Sequence, residues 1–339
     1  MSAKRTALVT AIGSFSADTV IRELKKLDYR VVGTDIYPGE WVAASRDADV
    51  FYQAPPAAEE DRYIAFIRET AEKEGADRIV PLIDVEVDVL SRHRNELETG
   101  NRRICISDQE TIEVLRNKLE LTMKVNGILS GLSAEERGLV RVIPSSLASD
   151  VDFESITYPL ILKPVNGRSS IGLYKIYQED QLGFAFSNIM DPSKLQDTAL
   201  SQYIVQPLIK GNVVTVDIVS DGQGNVIAVP REELLRTPNG AGLSVKIFED
   251  EDFIRVVKTL AKEIGILGCV NFEFIRGQGS GVYYFIECNP RFSGGVAFTE
   301  LAGIPVVKES MQVFDGQTVD CGRKPETGYM TRKYVECRM

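Results

Sequence analysis

The C-terminal third of the chain carries a set of oxygen donors: Glu273 in Asn271-Phe272-Glu273-Phe274, then Glu287 and Asn289 in Ile286-Glu287-Cys288-Asn289-Pro290-Arg291. Residues i and i+2 of a strand face the same side, so Glu287 and Asn289 project together. Glu273 lies on the strand before them and alternates with phenylalanines. Two carboxylates and an amide make an oxygen-only set, which suits Mg²⁺ (or Mn²⁺) bridging nucleotide phosphates better than a softer metal. Arg291 beside them would neutralise charge on a transferring phosphoryl group. The plainer alternative is an ion pair between Glu287 and Arg291 at a strand end.

Further upstream, Ile161-Leu162-Lys163-Pro164 ends a strand and leads into Val165-Asn166-Gly167-Arg168-Ser169-Ser170-Ile171-Gly172. Gly167 and Gly172 let the backbone approach a ligand, and the successive N–H groups between them, at Ser169 and Ser170, can form an anion-binding concavity. The lysine precedes the glycines and no helix follows, so this is no Walker A loop but a hairpin flap over phosphates. A flexible β-turn with Lys163 in solvent is the alternative. Near the N-terminus, Ala11-Ile12-Gly13-Ser14-Phe15-Ser16 joins the first strand to the first helix, and Asp35 closes the second strand. Only one of the three glycines of a dinucleotide fingerprint is present, so NAD is disfavoured against a plain turn or another small ligand.

The remaining composition removes other chemistries. Lys and Arg number 39 against 49 Asp and Glu in 339 residues, a net charge of −10, the opposite of a nucleic-acid-binding footprint. The single histidine, His93, sits in a polar run that reads as an exposed helix face, leaving little basis for a histidine-dependent nucleophile or zinc site. Five scattered cysteines with no CxxC pair suggest a reducing, cytoplasmic compartment. No run approaches the ~20 apolar residues of a membrane span, and no signal peptide is expected.

These groups need elements to hold them. Strand and helix signals alternate from Thr6 to Ile106: strands at Thr6–Thr10, Arg30–Thr34, Val50–Gln53, Arg78–Leu82 and Arg103–Ile106, with helices at Ala17–Leu27, Tyr63–Glu74 and Val87–Leu97. That order predicts a small parallel, doubly wound sheet. Ser107-Asp108-Gln109-Glu110 reads as a capping box opening one helix with the stripe Ile112, Leu115 and Leu119. After the polar stretch Leu129–Gly138, strands follow in succession: Pro159–Lys163, Leu173–Tyr177, Ser201–Gln206, Val213–Ser220, Val226–Val229, Cys269–Ile275 and Val282–Glu287. A helix over Asp252–Ile264 ends at Gly265. The second part is therefore α+β with a largely antiparallel sheet.

The order of these features resembles the ATP-grasp superfamily over essentially the whole chain, with Thr6–Ile106 similar to its pre-ATP-grasp domain. The nearest texture is that of stand-alone proteins similar to the carbamoyl-phosphate synthase large subunit. The resemblance implies three segments: a pre-ATP-grasp domain (1–107), a small subdomain with the glycine flap (108–200) and a large subdomain with the metal site (201–339). It implies that Lys118 and Lys163 bind ATP phosphates, and that Gln206-Pro207-Leu208-Ile209 is the hinge strand, where backbone groups of Pro207 and Ile209 read adenine. Gln206 and Asn212 stand where glutamates are common in the family. Glu273, Glu287 and Asn289 match the Mg²⁺ ligands, and Arg291 the arginine that ends the metal strand. Arg231, with Arg236 as second candidate, matches an active-site arginine, and Ser293-Gly294-Gly295 a backbone nest for the substrate carboxylate.

The activity implied is an ATP- and Mg²⁺-dependent ligation in which a small-molecule carboxylate becomes an acyl phosphate and is captured by an amine or related nucleophile. The second substrate is expected at the carboxyl end of the N-terminal sheet, near Gly13, Ser14, Asp35, Asp84 and Glu86. Asp84 and Glu86 either bind an ammonium group or simply open a helix, where acids favour the dipole. The competing readings are a non-catalytic ATP-binding sensor and a split fragment of a carbamoyl-phosphate synthase, whose two synthetase halves exceed this length. No biotin-carrier lysine motif favours a carboxylase. Assembly is left open, with a homodimer one option.

Overall fold

The alternation of short apolar runs with amphipathic segments folds as a parallel sheet in a computed structural model, which describes residues 5–167, 171–190, 200–237 and 240–339. In chain order the first part comprises β1 (Thr6–Thr10), α1 (Ala17–Lys26), β2 (Arg30–Asp35), β3 (Val50–Gln53), α2 (Glu60–Lys73), β4 (Arg78–Pro81), α3 (Asp84–Arg92), α4 (Arg94–Leu97) and β5 (Arg103–Ile104). The strands lie in the order β3-β2-β1-β4-β5, all parallel. Every residue of β1 is buried, as a strand covered on both faces requires. Chain direction across the sheet reverses between β1 and β4, which opens a crevice beyond their carboxyl ends.

The helix expected over Val87–Leu97 divides at His93. Its ring bonds Glu60 and Glu96, and although burial opposes protonation, these two carboxylates raise its pKa. The histidine is thus tied to neighbouring helix residues rather than to a nucleophile.

The next junction differs from expectation by one residue. Asp108, not Ser107, caps α5 (Gln109–Arg116), accepting from the Thr111 N–H at 2.8 Å. Ser107 instead exchanges hydrogen bonds with the backbone of Leu267. The stripe Ile112, Leu115 and Leu119 does not lie on one helix, because Asn117 turns extended and caps α6 (Lys118–Ser130). Lys118 therefore occupies the first position of a helix. The polar stretch after it contains α7 (Ala134–Leu139), an exposed helix with a capping box of Ser133 and Glu136.

Beyond α7 come β6 (Val140–Val142), β7 (Ser146–Leu147), β8 (Leu160–Pro164), β9 (Tyr174–Ile176), α8 (Leu182–Ile189) and β10 (Tyr203–Pro207). Then follow β11 (Gly211–Asp221), β12 (Val226–Arg236), β13 (Gly242–Ile247), α9 (Glu251–Ile264), β14 (Leu267–Gly277), β15 (Tyr283–Asn289), α10 (Val296–Leu301), α11 (Val306–Val313) and β16 (Gly328–Thr331). Among the described residues a small sheet runs β7-β10-β8-β9 and a large one β16-β13-β12-β11-β14-β15-β6. The second part is thus largely antiparallel, with one parallel pair, β15 and β6. Sheet membership crosses position 200: Tyr203–Pro207 joins the small sheet, and Val140–Val142 joins the large one. The α9 stripe packs on the large sheet, with Phe253 stacked on Tyr283 at 3.8 Å and edge-on to Phe274 at 5.0 Å.

The N-terminal sheet is tied to the large one through Asp315, just after α11. Its carboxylate accepts two bonds of 2.6 Å from Arg5 and one of 2.5 Å from the buried Arg78. Removing it leaves Arg78 without its counter-charge. Asp315→Ala is expected to lower the unfolding free energy by about 2 kcal/mol, less than for a fully buried pair because the Asp315 side chain is 20% exposed. Urea denaturation reads this, and Asp320→Ala, at a solvent-facing pair with Arg323, serves as control. Equal midpoints for the two variants would rule out Asp315 as the tie.

Candidate active site

Antiparallel register places Glu273 on β14 opposite Glu287 on β15, and Asn271 opposite Asn289. Like charges directly across a sheet repel, so the site calls for cations. Three protein cations answer it. Arg236, at the end of β12, donates from Nη2 to Glu273 Oε1 at 3.0 Å. Lys118 Nζ lies 3.4 Å from Glu287 Oε2 and also donates to the Gly167 carbonyl. Lys163, buried on β8, is pushed down to about 8 by burial, which the attraction of Glu287 only partly offsets while Lys118 adds to the shift. Burial holds the Glu273 carboxyl above its usual range; Arg236 opposes this and the Glu287 charge adds to it.

The amide of Asn289 is oriented by its neighbour. Its Nδ2 donates to Asn271 Oδ1 at 3.0 Å, while Asn271 Nδ2 donates to the carbonyls of Asn289 and Arg291. Oδ1 of Asn289 remains as an acceptor. Asn271 was not singled out from the sequence, although its i, i+2 relation to Glu273 places both on one face. Among the described residues no group of three or more His, Cys, Asp or Glu gathers as a metal site. Two carboxylates and an amide match a Mg²⁺ that arrives with phosphates, since that ion is commonly held by one or two carboxylates plus substrate oxygens.

The arginines separate into different duties. Arg291 bonds Asp84 Oδ2 at 2.8 Å and the Phe292 carbonyl at 3.1 Å, so the alternative pairing with Glu287 is not formed. Arg231 is buried, with Asp217 at 2.6 Å, Glu233 at 3.0 Å and Ser293 Oγ at 2.9 Å. Burial works against its charge, but Asp217 and Glu233 outweigh it and raise its pKa. Gly295 makes this possible, because a Cβ there would stand 2.7–2.9 Å from the guanidinium. Arg231 thus supports the Ser293–Gly295 turn from beneath. Arg332, which no motif announced, closes that turn from the other side: its Nη2 donates to Gly294 O at 2.5 Å, and its guanidinium lies over the rings of Phe15 and Phe298.

The carboxylate pair, Asn271, Asn289, Arg231, Arg236 and Arg291 line one cleft of about 310 Å³. Its walls include Ser14 beyond β1 and Leu82 and Ile83 beyond β4, which is the crevice at the direction reversal, and opposite them Glu273, Glu287, Asn289, Arg291, Ser293 and Gly294. Gly13 stands just behind: its N–H donates to Asp35 Oδ2 at 2.7 Å, and Asp35 also accepts from Tyr37 N–H, so this carboxylate braces two loops. Asp84 and Glu86 open α3, the second of the two readings the sequence left open. Asp84 is held by Arg291, and Glu86 is buried beneath Thr10, whose Oγ1 donates to it at 2.5 Å. Both acidic side chains of this first turn are buried.

At the proposed hinge, Gln206 is buried and donates to Ser145 Oγ at 2.6 Å, while Asn212 donates to Glu232 Oε1 at 2.6 Å. Pro207 is exposed and pairs in register with Leu160, and Ile209 is half-buried. In the flap, Gly167 and Gly172 are described, the latter at φ +73°, which favours glycine. Ser169 and Ser170 lie outside the described residues.

Comparison with known proteins agrees with this arrangement. Residues 199–336 match the family "ATP-grasp in the biosynthetic pathway with Ter operon", and residues 8–104 match "PylC-like, N-terminal domain". An ATP-grasp domain thus accounts for residues 199–336. A carbamoyl phosphate synthase large chain from Clostridium botulinum (strain Alaska E43 / Type E3) is 25% identical over 332 residues, 93% of this chain but only 28% of that relative's length. The fold is shared with the biotin carboxylase domain dimer of Hydrogenobacter thermophilus 2-oxoglutarate carboxylase, solved with MgADP, ADP and bicarbonate (TM-score 0.75, 22% identity, 93% of this chain and 71% of that one). It is also shared with L-amino acid ligase from Bacillus licheniformis (TM-score 0.65, 17% identity, 92% and 74%). Among the described residues no helix is long and apolar enough to cross a membrane.

Burial pushes the Glu86 carboxyl up to about 7, against the Thr10 hydrogen bond. A folded-state value raised above the unfolded one means that stability present at low pH is lost as pH rises through about 7. Glu86→Gln, which keeps the acceptor for Thr10, is therefore expected to match wild type near pH 5 and to melt at higher temperature near pH 8. A difference in Tm that does not change with pH would show that Glu86 is not buried as a carboxyl.

Proposed function

We propose that this chain is an ATP- and Mg²⁺-dependent ligase that activates a small-molecule carboxylate as an acyl phosphate and transfers the acyl group to an amine or related nucleophile. One observation carries the reading: Glu273 and Glu287 face each other with Asn289 beside them, ringed by Lys118, Lys163 and Arg291, at the mouth of a cleft that reaches the crevice of the N-terminal sheet.

Glu273, Glu287 and Asn289 would hold Mg²⁺, which when bound neutralises phosphate charge. In the reaction a substrate carboxylate oxygen attacks the γ-phosphorus of ATP and ADP leaves. The nucleophile then attacks the acyl carbon, phosphate departs with the bonding electrons, and the nitrogen gives up a proton. Lys118 and Lys163 would orient the phosphates, Arg291 would meet the charge that develops on the transferred group, and the flap residues Gly167, Ser169, Ser170 and Gly172 would exclude water. Backbone groups of Pro207 and Ile209 would read the adenine. The turn Ser293–Gly294, supported by Arg231 and Arg332, would receive the carboxylate, and Ser14 would meet the second substrate; Gly13 shapes that loop. Arg236, bonded to Glu273, would have to give up that contact for Glu273 to hold Mg²⁺. A cytoplasmic setting agrees with five cysteines that are all free thiols, and the dimer described for the Hydrogenobacter domain motivates a homodimer here.

The second reading is a nucleotide sensor without chemistry, or one part of a divided synthetase. It is favoured by the hinge amides, since Gln206 and Asn212 are both engaged with neighbouring side chains. ADP release from Mg–ATP across a panel of carboxylates with pooled amines separates the two. Wild type is expected to release ADP with at least one carboxylate, and Lys163→Ala and Glu287→Gln to lose 100-fold or more, on the order of 3 kcal/mol of transition-state stabilisation each. Nucleotide binding with no release under any carboxylate would favour the sensor.

Lys163 supplies a separate test. Near pH 9 its lowered pKa leaves it largely neutral in the free protein, and polyanionic phosphate would restore its proton. Binding of Mg–ADP is expected to take up a substantial fraction of a proton at pH 9 and much less at pH 7, measured by calorimetry in buffers of different ionisation enthalpy. Lys163→Met should abolish the uptake. Uptake that is absent in wild type would remove Lys163 from the phosphate site.

A further inference from the structure

We infer that Asp84 is the positioning residue for Arg291, the anchor by which the N-terminal sheet keeps that guanidinium off the carboxylate pair; this rests on the ligase reading above. Asp84 opens α3, directly after Ile83 of the cleft wall, and its side chain is 6% exposed. It accepts from Arg291 Nη2 at 2.8 Å and lies 3.8 Å from Arg116 Nη1. Arg116 is the last residue of α5, and its Nε donates at 2.8 Å to Asp88, one turn further along α3. Asn117 follows and caps α6, whose first residue is Lys118, 3.4 Å from Glu287. One helix turn of the N-terminal part thus holds Arg291 through Asp84, and its Asp88 holds Arg116, two residues before Lys118.

The consequence follows from the charges around Arg291. With Nη2 on Asp84 and Nη1 on the Phe292 carbonyl, the guanidinium plane is fixed, and Nε–H and the second N–H of each Nη remain as donors. The next carboxylates within electrostatic reach are Glu273 and Glu287, the proposed metal ligands. An arginine released from Asp84 would fold onto them and compete with the ion that must sit there. Holding it back keeps a further cation off carboxylates that Arg236 and Lys118 already approach, and keeps the guanidinium aimed at the group being transferred. The sequence left Asp84 between a substrate contact and a helix start; its partners are Arg291 and Arg116.

The test uses calorimetry with Mg–ADP and with Mg plus a non-hydrolysable ATP analogue, together with ADP release, on wild type, Asp84→Asn, Asp84→Glu and Asp88→Asn. Asp84→Asn is expected to lose about tenfold of the preference for the analogue over ADP and about 100-fold in kcat, the order expected when a catalytic group is misplaced by an ångström. Asp84→Glu should recover part of both. Asp88→Asn gives up the shorter bond to Arg116 but not the contact with Arg291, so it should keep the wild-type preference within twofold, and thermal midpoints report the fold of all three. Asp84→Asn with a wild-type preference, or with ADP and analogue weakened equally, would overturn the assignment. If wild type releases no ADP at all, the ligase reading fails, while the affinity ratio still decides for or against Asp84.

Discussion

Two carboxylates held opposite one another across β14 and β15, half-buried and within reach of each other's charge, are a standing electrostatic liability, and much of the surrounding chain is organised by it. Each compensating cation comes from a different element: Lys118 from the start of α6, Lys163 from β8, Arg236 from the end of β12. None is dedicated to a carboxylate as a closed pair. Lys118 shares its ammonium with a carbonyl, Arg236 sits at a loop, and Lys163 is buried enough to lose part of its affinity for a proton. On the proposed reading a divalent ion and phosphates would satisfy such a site better than its own side chains do.

The N-terminal sheet takes part in this balance rather than merely lying beside it. Its direction reversal supplies one wall of the cleft, with Ser14 and Ile83, and its third helix supplies Asp84 to Arg291. The C-terminal strand closes the same wall through Arg332, which reaches the carbonyls of Phe15 and Gly294 from a distant part of the sequence. Asp315 binds Arg5 and Arg78 at the amino ends of β1 and β4, the end of the N-terminal sheet away from the cleft. Arginine–oxygen contacts thus join the N-terminal sheet to the rest of the chain both beside the cleft and at the far end of the sheet.

Charge also explains why some residues stand where they do without touching a ligand. Arg231 resembles an active-site arginine in sequence position, but Asp217, Glu233 and Ser293 take its donors, so its contribution runs through the turn it supports. Glu86 is similar: a carboxyl at the start of a helix, turned inward under Thr10. In both cases a residue type suited to chemistry is fixed by burial in a scaffold role, and only the partner atoms distinguish the two.

Strand and helix periodicity was enough to read the parallel sheet, the antiparallel hairpins and the i, i+2 pairing of Glu287 with Asn289, because each depends on side-chain direction over a few residues. The acidic pair and the strand that carries Lys163 were legible for the same reason. The break at Asn117, the strands Gly242–Ile247 and Gly328–Thr331, the amide brace of Asn271, and the contacts of Asp84 and Arg332 were not. Each of these is set by a partner far along the chain or by one residue's capping choice, and local pattern carries no record of either. The sequence by itself determined which chemical groups were present and which strands carried them. Tertiary structure decided which carboxylates face the cleft and which are spent on holding arginines, since desolvation and charge pairing depend on what the fold brings alongside.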